Sequence, residues 1–219
     1  MFRSGEIRWF FPGTGPDAET RLIHSGPLAE QQAERVDRYL LLPDCATVGV
    51  KFRDGNFEVK AQVTPPERVS YGPGIAGFRS TWVKWSRAAA NLPVVYDPAS
   101  ADEAWVFVRK RRTVGLLSLE SAVPTEVPVG GPWLEAGCQV EQTGIDVLPY
   151  QGPGDAPSGR EWEAAQGWYS VAFEAFGAPD RLLQNLDVAV GHVIDRQPGL
   201  RLGAVDSMSY PEWLLSLRP

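Results

Sequence analysis

Cysteine and histidine are scarce in this sequence, with two of each among 219 residues. Cys45 and Cys138 are too few for the disulfide framework of a small secreted domain, and both are expected to act as small apolar fillers. His24 and His192 have no cysteine or carboxylate nearby at ligand spacing. A histidine-based metal centre is therefore not expected.

A positive net charge and long hydrophobic runs are also missing. The formal net charge is -6, which argues against a general nucleic-acid binder because counterion release needs a basic surface. No apolar run approaches the roughly 20 residues of a membrane-spanning helix, so no integral membrane protein is expected. The opening from Met1 to Glu6 lacks the apolar core of a signal peptide, and a cytoplasmic location is expected.

Short alternating segments separated by turn residues are abundant, and they are typical of antiparallel strands. Strands are expected at residues 5–11, 39–42, 48–53, 56–61, 78–85, 104–112, 138–145 and 168–176. One or two helical turns are expected at residues 29–35. After Asp180, apolar residues recur at helical spacing up to Pro198, and a capping box from Ser209 to Glu212 predicts a short terminal helix.

The clearest hairpin has Asp54 and Gly55 as a type I′ turn. In that register Lys51 faces Glu58, Gly49 faces Lys60 and Arg53 faces Asn56, and paired residues share one face of the sheet. One face is therefore ionic, whereas the other collects the apolar residues Val48, Val50, Phe52, Phe57, Val59 and Ala61. The apolar face needs burial as strongly as a conventional core strand does.

The ionic faces have two interpretations. They are either solvated outer surfaces with cross-strand ion pairs, or they line the inside of a closed barrel. A charged interior is tolerable only if it is wet or holds a charged ligand, because burying unpaired charge is expensive. The second interpretation predicts a polar tunnel whose apolar outside is covered by the C-terminal helix, tryptophans and connections.

Several charged motifs resemble the CYTH superfamily, the triphosphate tunnel metalloenzymes. They are Glu6-x-Arg8, Val-Lys51-Phe-Arg53, Glu58-Val-Lys60, Lys110-Arg-Arg112, and Glu141 and Glu174 on late strands. The resemblance implies a mainly β, antiparallel eight-stranded barrel with peripheral helices, in which one domain spans residues 1–219. The barrel would occupy about 1–177 and a helical cover about 178–219. It also implies metal-dependent hydrolysis of a triphosphate-containing substrate.

Roles for single residues follow from the same resemblance. Lys51, Arg53 and Arg8 would be catalytic cations that neutralise phosphate oxygens. The substrate-binding set would be Arg8, Lys51, Arg53, Lys60, Lys84, Lys110 and Arg112. The ligands of Mg²⁺ or Mn²⁺ would be Glu6, Glu141 and Glu174, directly or through water.

The sequence departs from the family pattern at two places. Ser4 stands where the opening motif has its first Glu, and Ala172 leaves a second paired-carboxylate motif with Glu174 alone. Losing these carboxylates should weaken cation binding. Three function classes therefore stay open: a metal-dependent triphosphate hydrolase, a non-catalytic tunnel that binds a phosphorylated metabolite or polyphosphate, and a β-sandwich interaction protein with wet charged faces.

Two further alternatives concern charge and assembly. The basic run Arg109–Arg112 is interpreted either as a phosphate-binding strand or as a solvated strand end. Edge strands and exposed aromatic residues would permit a homodimer.

Overall fold

Alternating apolar and charged residues determine where this chain forms strands, because an extended backbone sends successive side chains to opposite faces. The computed structural model describes residues 1–13, 30–88, 105–118, 137–149, 157, 159–163, 165–197 and 199–217. Within these ranges the strands are β1 (Phe2–Pro12), β2 (Glu30–Gln31), β3 (Arg35–Leu40), β4 (Val48–Arg53), β5 (Asn56–Gln62), β6 (Glu67–Gly72), β7 (Ile75–Ala88), β8 (Trp105–Ser118), β9 (Gly137–Pro149) and β10 (Gln166–Phe176). The α-helices are α1 (Gly159–Glu163), α2 (Leu182–Arg196) and α3 (Tyr210–Ser216), and Ala204–Asp206 form a 3₁₀ turn.

β1 closes the sheet into a barrel because it pairs with β10 along one edge and with β7 along the other. The antiparallel order β10-β9-β8-β3-β4-β5-β7 completes the ring of eight strands. β2 and β6 lie outside the ring, paired with β8 and β7. The predicted eight-stranded barrel is confirmed, and the β-sandwich alternative is wrong because the strands form one closed sheet rather than two packed ones.

The β4–β5 hairpin has the predicted register. Lys51 pairs with Glu58 and Gly49 with Lys60. Asp54 and Gly55 have φ angles of 48° and 72°, which a type I′ turn requires at both central positions. Local turn chemistry therefore decides which side chains of this hairpin share the ionic face.

The apolar outside of the barrel at β1, β9 and β10 is buried by α2. Leu182, Leu186, Ala189 and Val190 are the buried residues of this helix, and they lie at helical spacing on one side. The core beneath α2 includes Ile7, Trp9, Cys138, Val140, Val171 and Phe173 from β1, β9 and β10. The prediction that a C-terminal helix covers the barrel is therefore confirmed for α2.

α3 lies elsewhere, against side chains that point into the barrel. Trp213 is fully buried and stacks on Phe10, with ring centroids 4.5 Å apart. Phe10 shares its strand face with Arg8, so this contact is on the lumen side. The predicted capping box is confirmed, because Ser209 Oγ accepts from Glu212 N–H at 3.2 Å and Glu212 accepts from Ser209 N–H at 3.3 Å. The terminal helix thus fills one end of the barrel.

One local prediction needs correction, and one strand was not predicted. The helical turns expected at residues 29–35 are absent from the described part of that segment, where Glu30–Gln31 form β2 and Arg35 begins β3. Pairing with β8 outweighs the weak local helical signal there. β6 was not predicted, because its pairing with β7 is a tertiary contact. In the described ranges, no helix is long and apolar enough to cross a membrane.

Candidate functional site

The barrel lumen contains a cavity, here called the charged cavity, that gathers the ionic sides of the strands. Its charged lining consists of Arg8, Arg35, Lys51, Arg53, Lys60, Lys84, Lys110 and Arg112 together with Glu6, Glu58, Glu141 and Glu174. Every side chain assigned above to substrate or metal binding lies in this lining. Eight cations against four carboxylates leave an excess of four positive charges in the described lining. The whole chain, by contrast, has a net charge of -6.

Glu141 holds two guanidinium groups in place. Arg8 Nη1 lies 3.3 Å from Glu141 Oε1, Arg112 donates to Oε2, and Thr143 Oγ1 donates to Oε1 at 2.7 Å. Burial opposes ionisation of Glu141, but the charges of Arg112 and Arg8 outweigh it and hold the pKa of this carboxyl well below its usual range. Arg112 Nε is buried and has no hydrogen-bond partner among the described residues, which makes it one of the few unsatisfied donors of this cluster.

Glu58 holds cations in place at the β4–β5 hairpin, as Glu141 does for Arg8 and Arg112. Lys51 Nζ lies 3.0 Å and Lys84 Nζ 3.7 Å from Glu58 Oε2, and Arg53 donates to Oε1. Burial opposes ionisation, but the lysine charges outweigh it and lower the pKa of Glu58. Three cations therefore share one carboxylate, which leaves their remaining donors available to a ligand.

Asp37 is a buried counter-ion that the sequence interpretation missed. It is fully excluded from solvent, with Lys110 Nζ 3.2 Å and Lys51 Nζ 3.9 Å from Oδ2. Lys110 Nζ also donates to Tyr39 Oη at 2.6 Å. Burial lowers the pKa of Lys110 well below its usual value, although Asp37 opposes this, and burial lowers the pKa of Lys51 to about 8. An anion bound beside Lys51 and Lys110 would therefore stabilise the charged form of both side chains.

Lys60 acts on two carboxylates, Glu6 and Glu174. It donates to Glu6, and its charge is the main influence that lowers the pKa of Glu174 against the effect of burial. Burial lowers the pKa of Lys60 itself to about 8. Ser4 Oγ donates to Glu6 Oε1 at 3.4 Å, so the residue that replaces the family's first Glu supports a carboxylate instead of supplying one.

The fit of a divalent cation depends on Glu6 and Glu174. They are directly opposed in the β1–β10 pairing and both line the charged cavity. The third implied ligand, Glu141, is engaged by Arg8 and Arg112. No group of three or more His, Cys, Asp or Glu side chains placed to hold a metal exists within the described ranges. Two carboxylates fit a hard cation that completes its coordination with water and phosphate oxygens, as Mg²⁺ usually does.

α3 contributes lining residues that sequence reasoning did not assign to the site. Tyr210 lines the charged cavity with Pro211, Leu214 and Leu215. Lys110 Nζ lies 4.2 Å from the centroid of the Tyr210 ring, and the guanidinium of Arg8 lies 5.5 Å from it. Cation–π contact of this kind stabilises charged side chains away from bulk water. The sequence signal for Tyr210 was its position inside the capping box.

The pleat divides the basic run of β8 between two sides of the barrel wall. Lys110 and Arg112 line the charged cavity. Arg109 and Arg111 alternate with them and bind Asp146, with shortest distances of 2.7 Å and 2.6 Å. Arg109 also lies over the Trp162 ring, 4.7 Å from its centroid. The phosphate-binding interpretation of Lys110 and Arg112 stays a prediction, whereas Arg109 and Arg111 form ion pairs on the other side of the wall rather than a solvated strand end.

The cysteines and histidines lie in different parts of the protein. Cys138 is fully buried in the outer core, where burial raises the pKa of its thiol, as expected of an apolar filler. Cys45, by contrast, lines the charged cavity. His192 lies on α2, and His24 lies outside the described residues.

The sequence matches no protein-family model and no curated protein. The resemblance to the CYTH superfamily therefore remains a prediction carried by the residues quoted above. A barrel supports many chemistries, so the barrel alone does not indicate triphosphate hydrolysis. The composition of the charged cavity is the more specific feature of this protein.

Proposed function

We propose that the charged cavity binds the phosphate chain of a triphosphate-containing small molecule and that the protein hydrolyses it with Mg²⁺ or Mn²⁺. One observation carries this proposal: eight cations converge with four carboxylates in a single cavity of an acidic chain. Even when the buried Asp37 is counted with the four carboxylates, three positive charges remain uncompensated, and such an excess of partly buried charge is costly unless an anion compensates it. A triphosphate supplies several negative charges along a short chain and matches this lining.

Different cations of the cavity would bind different phosphate groups of the chain. Arg8 and Arg112 are held side by side by Glu141, and guanidinium groups bind phosphate oxygens with two parallel hydrogen bonds. Lys51 and Lys60 have pKa values of about 8, and a bound anion would raise both values. Anion binding near pH 8 should therefore be accompanied by proton uptake.

Glu6 and Glu174 would hold the divalent cation, which when bound neutralises phosphate oxygens and lowers the pKa of a bound water. The protein's own part in hydrolysis is electrostatic. Lys51, Arg53 and Arg8 would stabilise the negative charge that develops on the transferred phosphoryl group. A carboxylate of the Glu6–Glu174 pair would orient the attacking water.

The second candidate function is binding of a phosphorylated metabolite or polyphosphate without turnover. It is favoured by the engagement of Glu141 with Arg8 and Arg112. Ser4 and Ala172 also supply no carboxylate at the two family positions. The cations needed for anion binding remain present in this case, whereas the cation site is reduced.

A phosphate-release assay separates the two candidates. The substrates are inorganic triphosphate, thiamine triphosphate and adenosine triphosphate, and each is assayed with Mg²⁺, with Mn²⁺ and with chelator. Metal-dependent release supports the hydrolase, and binding by calorimetry without release supports the second candidate. Lys84→Met removes a cation of the charged cavity and should weaken binding of all three compounds. Arg87→Met on the same strand is the matched control, because Arg87 is exposed. Absence of both binding and release would overturn the proposal.

The homodimer and the cytoplasmic location stay predictions. β6 pairs with β7 alone among the described strands, and an edge strand of this kind can pair with a second chain. Trp85, which lies further along β7, is 44% exposed. Molar mass measured by light scattering at several concentrations would test the dimer.

A further inference from the structure

Lys60 interacts with both carboxylates that are the proposed ligands of the divalent cation. Its Nζ donates to Glu6 in an ion pair. Burial raises the pKa of Glu174, and the charge of Lys60 is the largest influence that lowers it. Glu6 and Glu174 are directly opposed on β1 and β10. The protein thus supplies this carboxylate pair with a positive charge of its own.

Charge balance makes Lys60 and a divalent ion alternatives at this pair. A single divalent ion neutralises two ionised carboxylates by itself. An ammonium group kept in contact with Glu6 would then be repelled by the ion at short range, with no negative charge left over to compensate the repulsion. The carboxylate pair is therefore fully available to the ion only when Lys60 has moved away from it.

Lys60 has other partners within the charged cavity. It is directly opposite Lys84 in the β5–β7 pairing, and both side chains line the cavity. Lys84 Nζ lies 3.7 Å from Glu58 Oε2, so Lys84 is paired with a different carboxylate. The ring of Trp82, whose centroid is 5.1 Å from Lys60 Nζ, remains an uncharged partner for the ammonium group. The long, flexible stem of a lysine allows such a movement while the strand stays in place.

We infer that Lys60 competes with the divalent cation for Glu6 and Glu174, and that the displaced Lys60 binds the anion together with Lys84. This inference rests on the proposed function, since it takes Glu6 and Glu174 as the ligands of the cation. Lys60 is then a positioning residue that couples the two binding events. An anion that attracts Lys60 frees the carboxylates for the cation, and by linkage the cation strengthens anion binding by the same factor.

Binding of Mn²⁺ to the full chain in a chloride buffer, measured by electron paramagnetic resonance of the free ion, tests the competition. Lys60→Met removes the charge at similar length and should tighten Mn²⁺ binding by about tenfold. Lys60→Arg keeps the charge and should stay within about threefold of the unmodified protein. Lys84→Met is the matched control, because it removes the same charge from Glu58 instead, and it should tighten Mn²⁺ binding by less than about threefold.

Sulfate measures the coupling, because this anion binds Mn²⁺ only weakly by itself. At constant ionic strength, sulfate should tighten Mn²⁺ binding several-fold in the unmodified protein and by a smaller factor in Lys60→Met. Equal factors in the two proteins would overturn the coupling.

Equal changes of Mn²⁺ affinity in Lys60→Met and Lys84→Met, or no change in either, would overturn the competition. The proposed function stands in that case if phosphate release from the triphosphate substrates requires the metal. If neither the unmodified protein nor Lys60→Met binds Mn²⁺, the inference and the metal role of Glu6 and Glu174 fail together, and binding of inorganic triphosphate with chelator shows whether the anion site survives. Thermal unfolding checks that each variant is folded, and Lys60→Gln replaces Lys60→Met if the latter does not fold.

Discussion

Glu6 and Glu174 are directly opposed on the paired strands β1 and β10, and Lys60 donates to Glu6 while its charge lowers the pKa of Glu174. Two like charges at this spacing repel each other unless a cation compensates them. Lys60 provides one positive charge, so the pair retains capacity for a divalent ion. This arrangement places the proposed metal ligands beside the phosphate-binding cations.

Changing Glu174 to Ala should abolish metal-dependent hydrolysis and leave anion binding partly intact. The reason is that the variant removes one of two carboxylates available to a cation, whereas the cations of the cavity remain. Phosphate release with Mg²⁺ or Mn²⁺ and calorimetric binding with chelator measure the two effects separately. Glu163→Ala on α1 is the control, because Glu163 is exposed. Full metal-dependent activity in Glu174→Ala would rule out a metal role for this residue.

Affinity for inorganic triphosphate should fall as the pH rises from 7 to 9.5. Lys51 and Lys60 have pKa values of about 8, so both lose their charge in this interval, whereas an ordinary lysine keeps it until about pH 10. Lys60→Arg should reduce the fall, because arginine stays protonated. Calorimetry at pH 7, 8 and 9 measures the change. A flat profile would show that these lysines do not contact the anion.

The same lysines have the opposite effect on the stability of the ligand-free protein. Between about pH 8 and 10 the unfolded chain binds more protons at Lys51 and Lys60 than the folded chain does, because both pKa values are lowered by folding. Their contribution to the free energy of unfolding should therefore rise with pH in this interval. Urea unfolding of the protein and of Lys60→Met, compared at pH 8 and 9.5, isolates the part due to Lys60.

Asp37→Asn should lower the free energy of unfolding by about 3 kcal/mol, because it leaves Lys110 without its buried counter-ion and Lys51 with Glu58 alone. Urea unfolding at pH 7 measures this loss, and Asp195→Asn on the exposed side of α2 is the control. The pKa of Asp37 is lowered because the charges of Lys110 and Lys51 outweigh burial. Its contribution is therefore present above about pH 4 and declines at lower pH. An unchanged stability at pH 7 would contradict this role.

Gly77→Ala should lower the free energy of unfolding by about 2 kcal/mol through overpacking. An added Cβ would lie 2.7 Å from Ser207 Oγ and 2.9 Å from atoms of Ile7 and Trp9. Gly191→Ala is the matched control, because nothing lies within 4 Å of its added Cβ and alanine favours the helix by up to about 1 kcal/mol. The two variants should therefore shift urea unfolding midpoints in opposite directions.

Local chemistry made part of this structure predictable. The Asp54-Gly55 turn determined the register that joins Lys51 with Glu58, and the Ser209–Glu212 capping box determined where α3 begins. Asp37 was missed although Arg35, Asp37 and Tyr39 alternate in the same way. The strand was expected to begin only at Tyr39, because the weak helical signal at residues 29–35 masked the alternation.

Turn type and the two-residue period of an extended chain are local properties, so the residues that share a strand face follow from the sequence. Which face is inside depends on contacts between distant segments. Pairing of β1 with both β7 and β10 closes the barrel around the ionic side, and α2 covers the apolar side at β1, β9 and β10. The position of Tyr210 against Lys110 was likewise decided by packing between distant segments, for which no local pattern exists.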